Sequence, residues 1–133
     1  MSTSANLDLV RSIYAGWERG DFSRSDWAHP QIEFSYVGGP EPAQASGIGS
    51  MDTAWREWLR DWSGFRAEPV EYRVIEEDRI LVLVRNRGRG RLSGLEFDER
   101  SVGNYFELDG GRVTRLVVYL DGARAIADLG LEE

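Results

Sequence analysis

Leu7, Val10, Ile13, Tyr14 and Trp17 recur at the three- and four-residue spacing of one helix face, which predicts a helix over 7–19. Asn6 is a candidate N-cap and Gly20 a candidate stop. Asp21 can cap a short second helix carrying Phe22 and Trp27. Ile32, Phe34 and Tyr36 then alternate with Gln31, Glu33 and Ser35, the period of a strand. Residues 38–49 are rich in Gly and Pro and predict a loop. Ser50 can cap a further helix whose stripe is Ala54, Trp55, Trp58, Leu59 and Trp62, with Gly64 as its end. Four strands are predicted after it, over 66–76, 79–91, 95–108 and 112–120. The turn signals between them are "EED" at 76–78, "SG" at 93–94 and "DGG" at 109–111. Asp121 can cap a last helix, 122–129, closed by Gly130. Helices gathered on one side of a mainly antiparallel sheet make an α+β arrangement, and a curved sheet with a long helix across it leaves a pocket between them.

Composition narrows the function. The 133 residues fit one domain, 1–133, and 41% hydrophobic with 29% charged residues is an ordinary globular mixture. The chain has no cysteine and a single histidine, His29, so thiolate chemistry is excluded and a histidine-based metal site has little to draw on. The acidic residues show no metal-ligand spacing, and no metal or cofactor is expected. A net charge of −7 argues against a nucleic-acid partner. The N-terminal "MSTSANLDLV" lacks the basic and apolar regions of a signal peptide, and no apolar run reaches the length of a membrane span. The expectation is a cytoplasmic protein without membrane contact.

Five stretches, in order, are "VRSIYAGWERGDF", "HPQIEF", "GIGSMDTAWREWLRDW", "VLVRNRGRGRLSG" and "ERSVGNYFELDGGRVTRLVVYLDGARAIADLGL". Together they resemble the SnoaL-like, polyketide cyclase-like group of the nuclear-transport-factor-2-like superfamily over nearly the whole chain. The resemblance implies a cystatin-like α+β barrel, in which a cone-shaped, curved, mostly antiparallel sheet wraps on helices around a pocket. It also implies a homodimer formed through the sheet. The superfamily includes isomerases, cyclases, epoxide hydrolases, dehydratases and non-catalytic binders, so the site must decide the function.

Arginines stand at 85, 87, 89 and 91, alternating with Asn86, Gly88 and Gly90, which reads as a strand. If "SG" is a two-residue hairpin loop, Arg91 opposes Glu96, Arg89 opposes Asp98 and Arg87 opposes Arg100. Leu81, Leu83, Arg85 and Arg87 then share a face with Asp98, Arg100, Val102, Asn104 and Phe106. A three-residue "DGG" loop with a bulge pairs Asn104 with Leu116 and Phe106 with Thr114, and adds Val118 to that face. The resemblance likewise aims Asn104, Tyr36, Leu116 and Val118 inward. Arg87 beside Arg100 is unfavourable unless an anion or carboxylate lies between them. Inward-facing guanidinium groups suit an oxygen-rich ligand; outward-facing ones are a solvated strand end.

In resembling isomerases the first strand carries a carboxylate base and the first helix a tyrosine. Here those positions hold Tyr36 and Ile13, with Tyr14 beside it, and Asn104 replaces the acid of a later strand. The final-strand aspartate of resembling cyclases is Val118 here, and Asp121 lies past the strand end as a helix cap. The candidate titrating groups are therefore Tyr36 and Asp98, the latter either in the pocket beside Arg100 or exposed as the partner of Arg89. Polar ligand anchors would be Tyr36, Arg85, Arg87, Arg100 and Asn104, and apolar walls Phe34, Leu81, Leu83, Val102, Phe106, Leu116 and Val118. Trp17, Trp55, Trp58 and Trp62 read as packing residues, with one or two at the pocket mouth, and His29 as structural. Three functions fit. One is a binder of a small hydrophobic or amphipathic molecule bearing carbonyl, hydroxyl or acid groups. The second is an isomerase, cyclase or dehydratase working by proton transfer. The third is a dimeric interaction module without ligand.

Overall fold

The computed structural model describes residues 3–38 and 43–131. Along the chain these form α1 (Thr3–Trp17), β1 (Ala28–Val37), β2 (Ala43–Ser46), α2 (Ile48–Arg60), β3 (Trp62–Glu76), β4 (Arg79–Gly90), β5 (Glu96–Asp109), β6 (Arg112–Tyr119) and α3 (Gly122–Asp128). The six strands make one curved, open sheet in the order β2-β1-β6-β5-β4-β3. All pairs are antiparallel except β1 with β6. No helix among the described residues is long and apolar enough to cross a membrane.

Local chemistry moves several element ends. Asn6 lies inside α1 rather than capping it, and its Nδ2 donates to the Glu77 carbonyl at 2.8 Å, tying the helix to the β3–β4 turn. The second short helix does not form. Asp21 Oδ1 instead accepts from the Ser23 N–H and hydroxyl, at 3.0 and 2.6 Å, and this side-chain turn takes the place of a helical one. Residues 43–46 of the predicted loop form the edge strand β2, paired with β1 from Glu33–Ser46 to Tyr36–Ala43. Loop residues 39–42 fall outside the described residues. Gly47, at φ 88, precedes α2 with no side-chain cap, so Ser50 sits within the helix. Trp62 continues the helical spacing of Trp55 and Trp58 but starts β3, opposite Gly90, and the helix ends before Gly64. Asp121 does cap α3, accepting from Ala123 N–H at 3.0 Å.

The sheet is covered on both faces. On the inner face, Val10, Tyr14 and Trp17 of α1 pack with Phe34, Val82, Val84, Val102, Phe106 and Leu116. On the outer face, Ala125 and Ile126 of α3 pack with Leu81, Tyr105, Val117 and Tyr119. The helices are therefore not all on one side, and α3 occupies part of the outer face. Gly103 and Gly122 allow its close approach: a Cβ at Gly103 would lie 3.3 Å from Ala125 Cβ, and one at Gly122 would lie 3.1 Å from the Ser101 carbonyl oxygen.

The β4–β5 hairpin departs from the expected register. Gly90 N–H donates to Leu95 O at 3.0 Å and Gly94 N–H to Gly90 O at 2.9 Å, closing a longer loop than "SG" alone. Arg89 faces Glu96, and Arg87 faces Asp98 rather than Arg100. A bulge between Val84 and Asn86 then sets Val84 opposite Val102, Val82 opposite Asn104 and Ile80 opposite Phe106. Asn104 was expected opposite Leu83, one residue away. A slip of one reverses every side chain. The inner series is therefore Ile80, Val82, Val84 and Asn86, while Leu81, Leu83, Arg85 and Arg87 look outward.

The β5–β6 hairpin also differs in loop length but keeps its faces. Gly110 and Gly111, at φ 60 and 80, form a two-residue loop between Asp109 and Arg112, the geometry of a type I′ turn. With a bulge at Glu107–Leu108, Asn104 meets Val118 and Phe106 meets Leu116. The shift from the expected pairing is two residues, which leaves parity unchanged.

Candidate functional site

A hollow of about 20 Å³ lies between α2 and the inner face of the sheet. Trp55 and Trp58 of α2 form one wall, Phe65 and Ala67 of β3 another, and Val118 and Leu120 a third. Three polar side chains enter it: Tyr36 from β1, Asn86 from β4 and Asn104 from β5. The alternation of each strand delivers them, since Tyr36 follows Phe34, Asn86 follows Val84 and Asn104 follows Val102 on the inner side. A space of this size holds about one water molecule.

The polar lining is under-satisfied. Tyr36 Oη and Asn104 Oδ1 are buried with no hydrogen-bond partner. The other side of the Asn104 amide is engaged: Nδ2 donates to Tyr14 Oη at 2.7 Å. Turning that amide by 180° keeps the heavy-atom contact, lets Tyr14 donate to Oδ1 and leaves Nδ2 at the hollow instead. Either way one amide atom of Asn104 stays unpaired. Each unmet buried polar group costs about 1–3 kcal/mol, so two in one small apolar space mark a place to look for function.

Electrostatics fix what these groups can do. Burial pushes the Tyr36 phenol up to about 12. At neutral pH it is a protonated hydrogen-bond donor. Burial raises Tyr14 well above the ordinary phenol value, and the bond from Asn104 offsets only part of that rise. Among the described residues no carboxylate or histidine lines the hollow. The set Tyr36, Asn86 and Asn104 can therefore donate to a carbonyl and accept from a hydroxyl.

Tyr36, Asn104 and Val118 come together as expected, and Trp55 and Trp58 are the tryptophans at the hollow. Phe34, Val102, Phe106 and Leu116 share its face but are packed into the adjoining core without bordering it. Leu81 and Leu83 pack on the outer side with α3. Arg85 and Arg87 lie outside too, because of the one-residue slip. Arg85 grips Asp98 with two bonds, Nε to Oδ1 at 2.8 Å and Nη2 to Oδ2 at 2.7 Å. Arg87 pairs with Glu68 at 3.3 Å, and Arg100 reaches Asp98 at 3.5 Å. The Arg85 bonds above all hold the Asp98 carboxyl down at about 2, so on this exposed surface it is a standing carboxylate rather than a proton carrier.

Two site residues escaped the sequence reading. Tyr14, not Ile13, reaches Asn104. Asn86 is hidden in the sequence because it alternates with Arg85 and Arg87, which were expected to face inward; it is the one polar member of the series Ile80, Val82, Val84, Asn86. His29 Nδ1 accepts from the Gln31 N–H at 3.0 Å, a local contact within the irregular start of β1. No cluster among the described residues could hold a metal ion.

No family model matches the chain, and no curated protein matches it in sequence. Solved structures match its shape over nearly the full length. An NTF2-like protein of unknown function from Burkholderia pseudomallei is 20% identical, with 96% of this chain and 97% of that one covered and a TM-score of 0.76. A candidate SnoaL-like polyketide cyclase from a Jannaschia species is 16% identical, with 93% and 90% covered and a TM-score of 0.76. A hypothetical protein with a ketosteroid isomerase-like fold from Catenulispora acidiphila, crystallised with trimethylamine, is 11% identical, with 94% of each chain covered and a TM-score of 0.70. At such identities the likeness establishes the fold, that of NTF2-like proteins, an α+β cone.

Proposed function

We propose that this protein binds a small, largely apolar molecule through a carbonyl or hydroxyl group placed against Tyr36, Asn86 and Asn104. The observation that carries the reading is the pair of unpartnered buried atoms, Tyr36 Oη and Asn104 Oδ1, in one aromatic-walled hollow. A ligand oxygen there would accept from the Tyr36 hydroxyl, and a ligand hydroxyl would donate to the Asn104 amide. Trp55 and Trp58 would cover its apolar body. The neighbours named for polyketide cyclisation and the ketosteroid isomerase-like fold are in keeping with a carbonyl-bearing polycyclic ligand.

A polycyclic molecule needs more than about 20 Å³, since ligand sites of this kind run to a few hundred. The wall that would yield is α2. Its start has no side-chain cap, and Met51 is its one fully buried residue. Outward movement of α2 would carry Trp55 and Trp58 away from Phe34 and Tyr36, which they meet at ring distances of 5.6 and 6.4 Å.

The test is a thermal-shift and calorimetric screen with cyclic ketones and phenols beside the matching hydrocarbons. Binding of a ketone or phenol that weakens at least tenfold in Tyr36→Phe supports the proposal. No binding by any oxygenated compound, or affinity unchanged in both Tyr36→Phe and Asn104→Leu, would overturn it.

A further inference from the structure

Outside the hollow, a groove of about 510 Å³ runs between the turn after α1, the outer side of α2 and the first residues of β3. Arg19, Arg56, Arg66 and Arg91 all line it. Among the described residues none of the four forms an ion pair with a carboxylate, whereas Arg85, Arg87, Arg89 and Arg100 on the β4–β5 hairpin all do. Among the described residues the one carboxylate that borders the groove, Asp21, accepts both bonds of Ser23 and meets Arg19 only through the longer-range attraction of their charges. In a chain of net charge −7, four unpaired guanidinium groups on one groove are a local reversal of sign.

Two of the four are held in place by backbone. Arg19 Nη1 donates to Ala15 O at 2.7 Å, and Arg91 Nε donates to Trp62 O at 3.0 Å. Each leaves the other guanidinium N–H groups available. Among the described residues the Arg56 guanidinium makes a single long hydrogen bond, 3.5 Å to Thr53 Oγ1, and that of Arg66 makes none. The floor is aromatic. Phe22 lies 5.6 Å from Phe65, and Trp62 6.5 Å from it, ring to ring. The Trp62 Nε1–H is buried without an acceptor.

We propose that this groove is a second ligand site, for a small aromatic anion such as an aryl carboxylate or sulfonate. The aromatic floor takes the ring, and the guanidinium fork takes the acid group in paired hydrogen bonds. The surrounding negative charge selects against a long polyanion, which would be repelled beyond the groove, and tolerates a compact one. The site stands on its own residues. Only Phe65 is common to it and the hollow.

Naphthalene-2-sulfonate is a suitable probe, followed by calorimetry and tryptophan fluorescence, with neutral 2-naphthalenemethanol beside it. The sulfonate is expected to bind at least tenfold more tightly than the alcohol. Arg56→Glu/Arg66→Glu, at two exposed and unpaired positions, should weaken it at least tenfold while the melting temperature stays unchanged. Tyr36→Phe should leave it unaltered. Equal affinity for the two probes, full affinity in the double variant, or no sulfonate binding at millimolar concentration would overturn the proposal. Loss of sulfonate binding in Tyr36→Phe with retention in the double variant would do the same, by placing the probe in the hollow.

Discussion

Asn104 Nδ2 sits 2.7 Å from Tyr14 Oη, a buried side-chain bond between β5 and α1 across 90 positions of sequence. It ties that helix to the centre of the sheet by a side-chain hydrogen bond, set among Trp17, Tyr72 and Phe106, which surround the Tyr14 ring edge-on at 4.9, 6.2 and 6.0 Å. Tyr14→Phe keeps the ring and strips the partner from a buried amide, which costs about 1–3 kcal/mol. Asn104→Leu should cost less in the Tyr14→Phe background than alone, because no hydroxyl is then left unpaired. Urea unfolding of the double-mutant cycle measures this; additive costs would show that the bond contributes nothing.

Tyr36 should behave in the opposite way. Its hydroxyl is already buried without a partner. Tyr36→Phe removes an unmet polar atom and keeps the ring against Phe34, so the variant should be as stable as the parent or more stable by up to about 1–3 kcal/mol. Denaturant midpoints check it. A clear loss of stability would mean that the hydroxyl is satisfied in the folded protein. Together with lost binding of an oxygenated ligand, a stability gain would identify Tyr36 as kept for function at the expense of folding.

The contrast between Tyr36 and the arginines shows where the sequence was readable. The alternation in β1 placed Tyr36 correctly because β1 changes character at every second residue. In β4 the run Ile80, Leu81, Val82, Leu83, Val84 is apolar in both phases, since α1 covers one face and α3 the other. Parity there had to be carried in from the hairpin loop, and a longer loop with a bulge shifted it by one. β6 survived a comparable error because its shift was two. In α1, Ile13 and Tyr14 both lie on the buried stripe, and spacing alone cannot say which points to the centre of the sheet. The missing second helix and the edge strand β2 were illegible for another reason: a side-chain turn at Asp21 and a four-residue strand carry almost no periodic signal.

The outward arginines give a prediction that separates the two faces. Arg85→Ala breaks a two-bond surface ion pair with Asp98. Exposed pairs are screened by solvent and stabilise little, so the variant should keep nearly the parent's unfolding midpoint and bind any ligand of the hollow with unchanged affinity. A tenfold loss of that binding would place the guanidinium inside after all.

Gly122 supports a sterically sharper expectation. A Cβ there would lie 3.1 Å from the backbone oxygen of Ser101 in β5. Gly122→Ala should therefore force α3 and Ser101 apart by a few tenths of an ångström and cost about 1 kcal/mol, the low end for overpacked sites. Gly49→Ala, where a Cβ would meet nothing within 4 Å, is the control and should be neutral or slightly stabilising. Equal melting temperatures for the two variants would mean that α3 adjusts at no cost.

The pH dependence has two limbs with different owners. Asp98 titrates at about 2 in the folded chain, first because of the Arg85 bonds, against about 3.9 when unfolded. A folded value below the unfolded one means that the contribution is complete above about pH 4 and is lost as pH falls towards 2. Asp98→Asn should flatten the acid limb over that window, to a small extent because the pair is exposed. On the alkaline side the sign reverses. The Tyr36 phenol stands at about 12 when folded and about 10 when unfolded, so its contribution is complete below pH 10 and disappears as pH rises from 10 to 12. Tyr14 is raised by the same burial, as are Tyr72, Tyr105 and Tyr119, and all four load the same limb. Tyr36→Phe should therefore soften the alkaline loss and leave the share of those four, while Asp98→Asn should leave that limb alone. Stability measured by urea midpoint at intervals from pH 2 to 12 reads both. An alkaline limb unaltered by Tyr36→Phe would mean that this phenol ionises as freely in the folded chain as in the unfolded one, and the hollow would then be open to water.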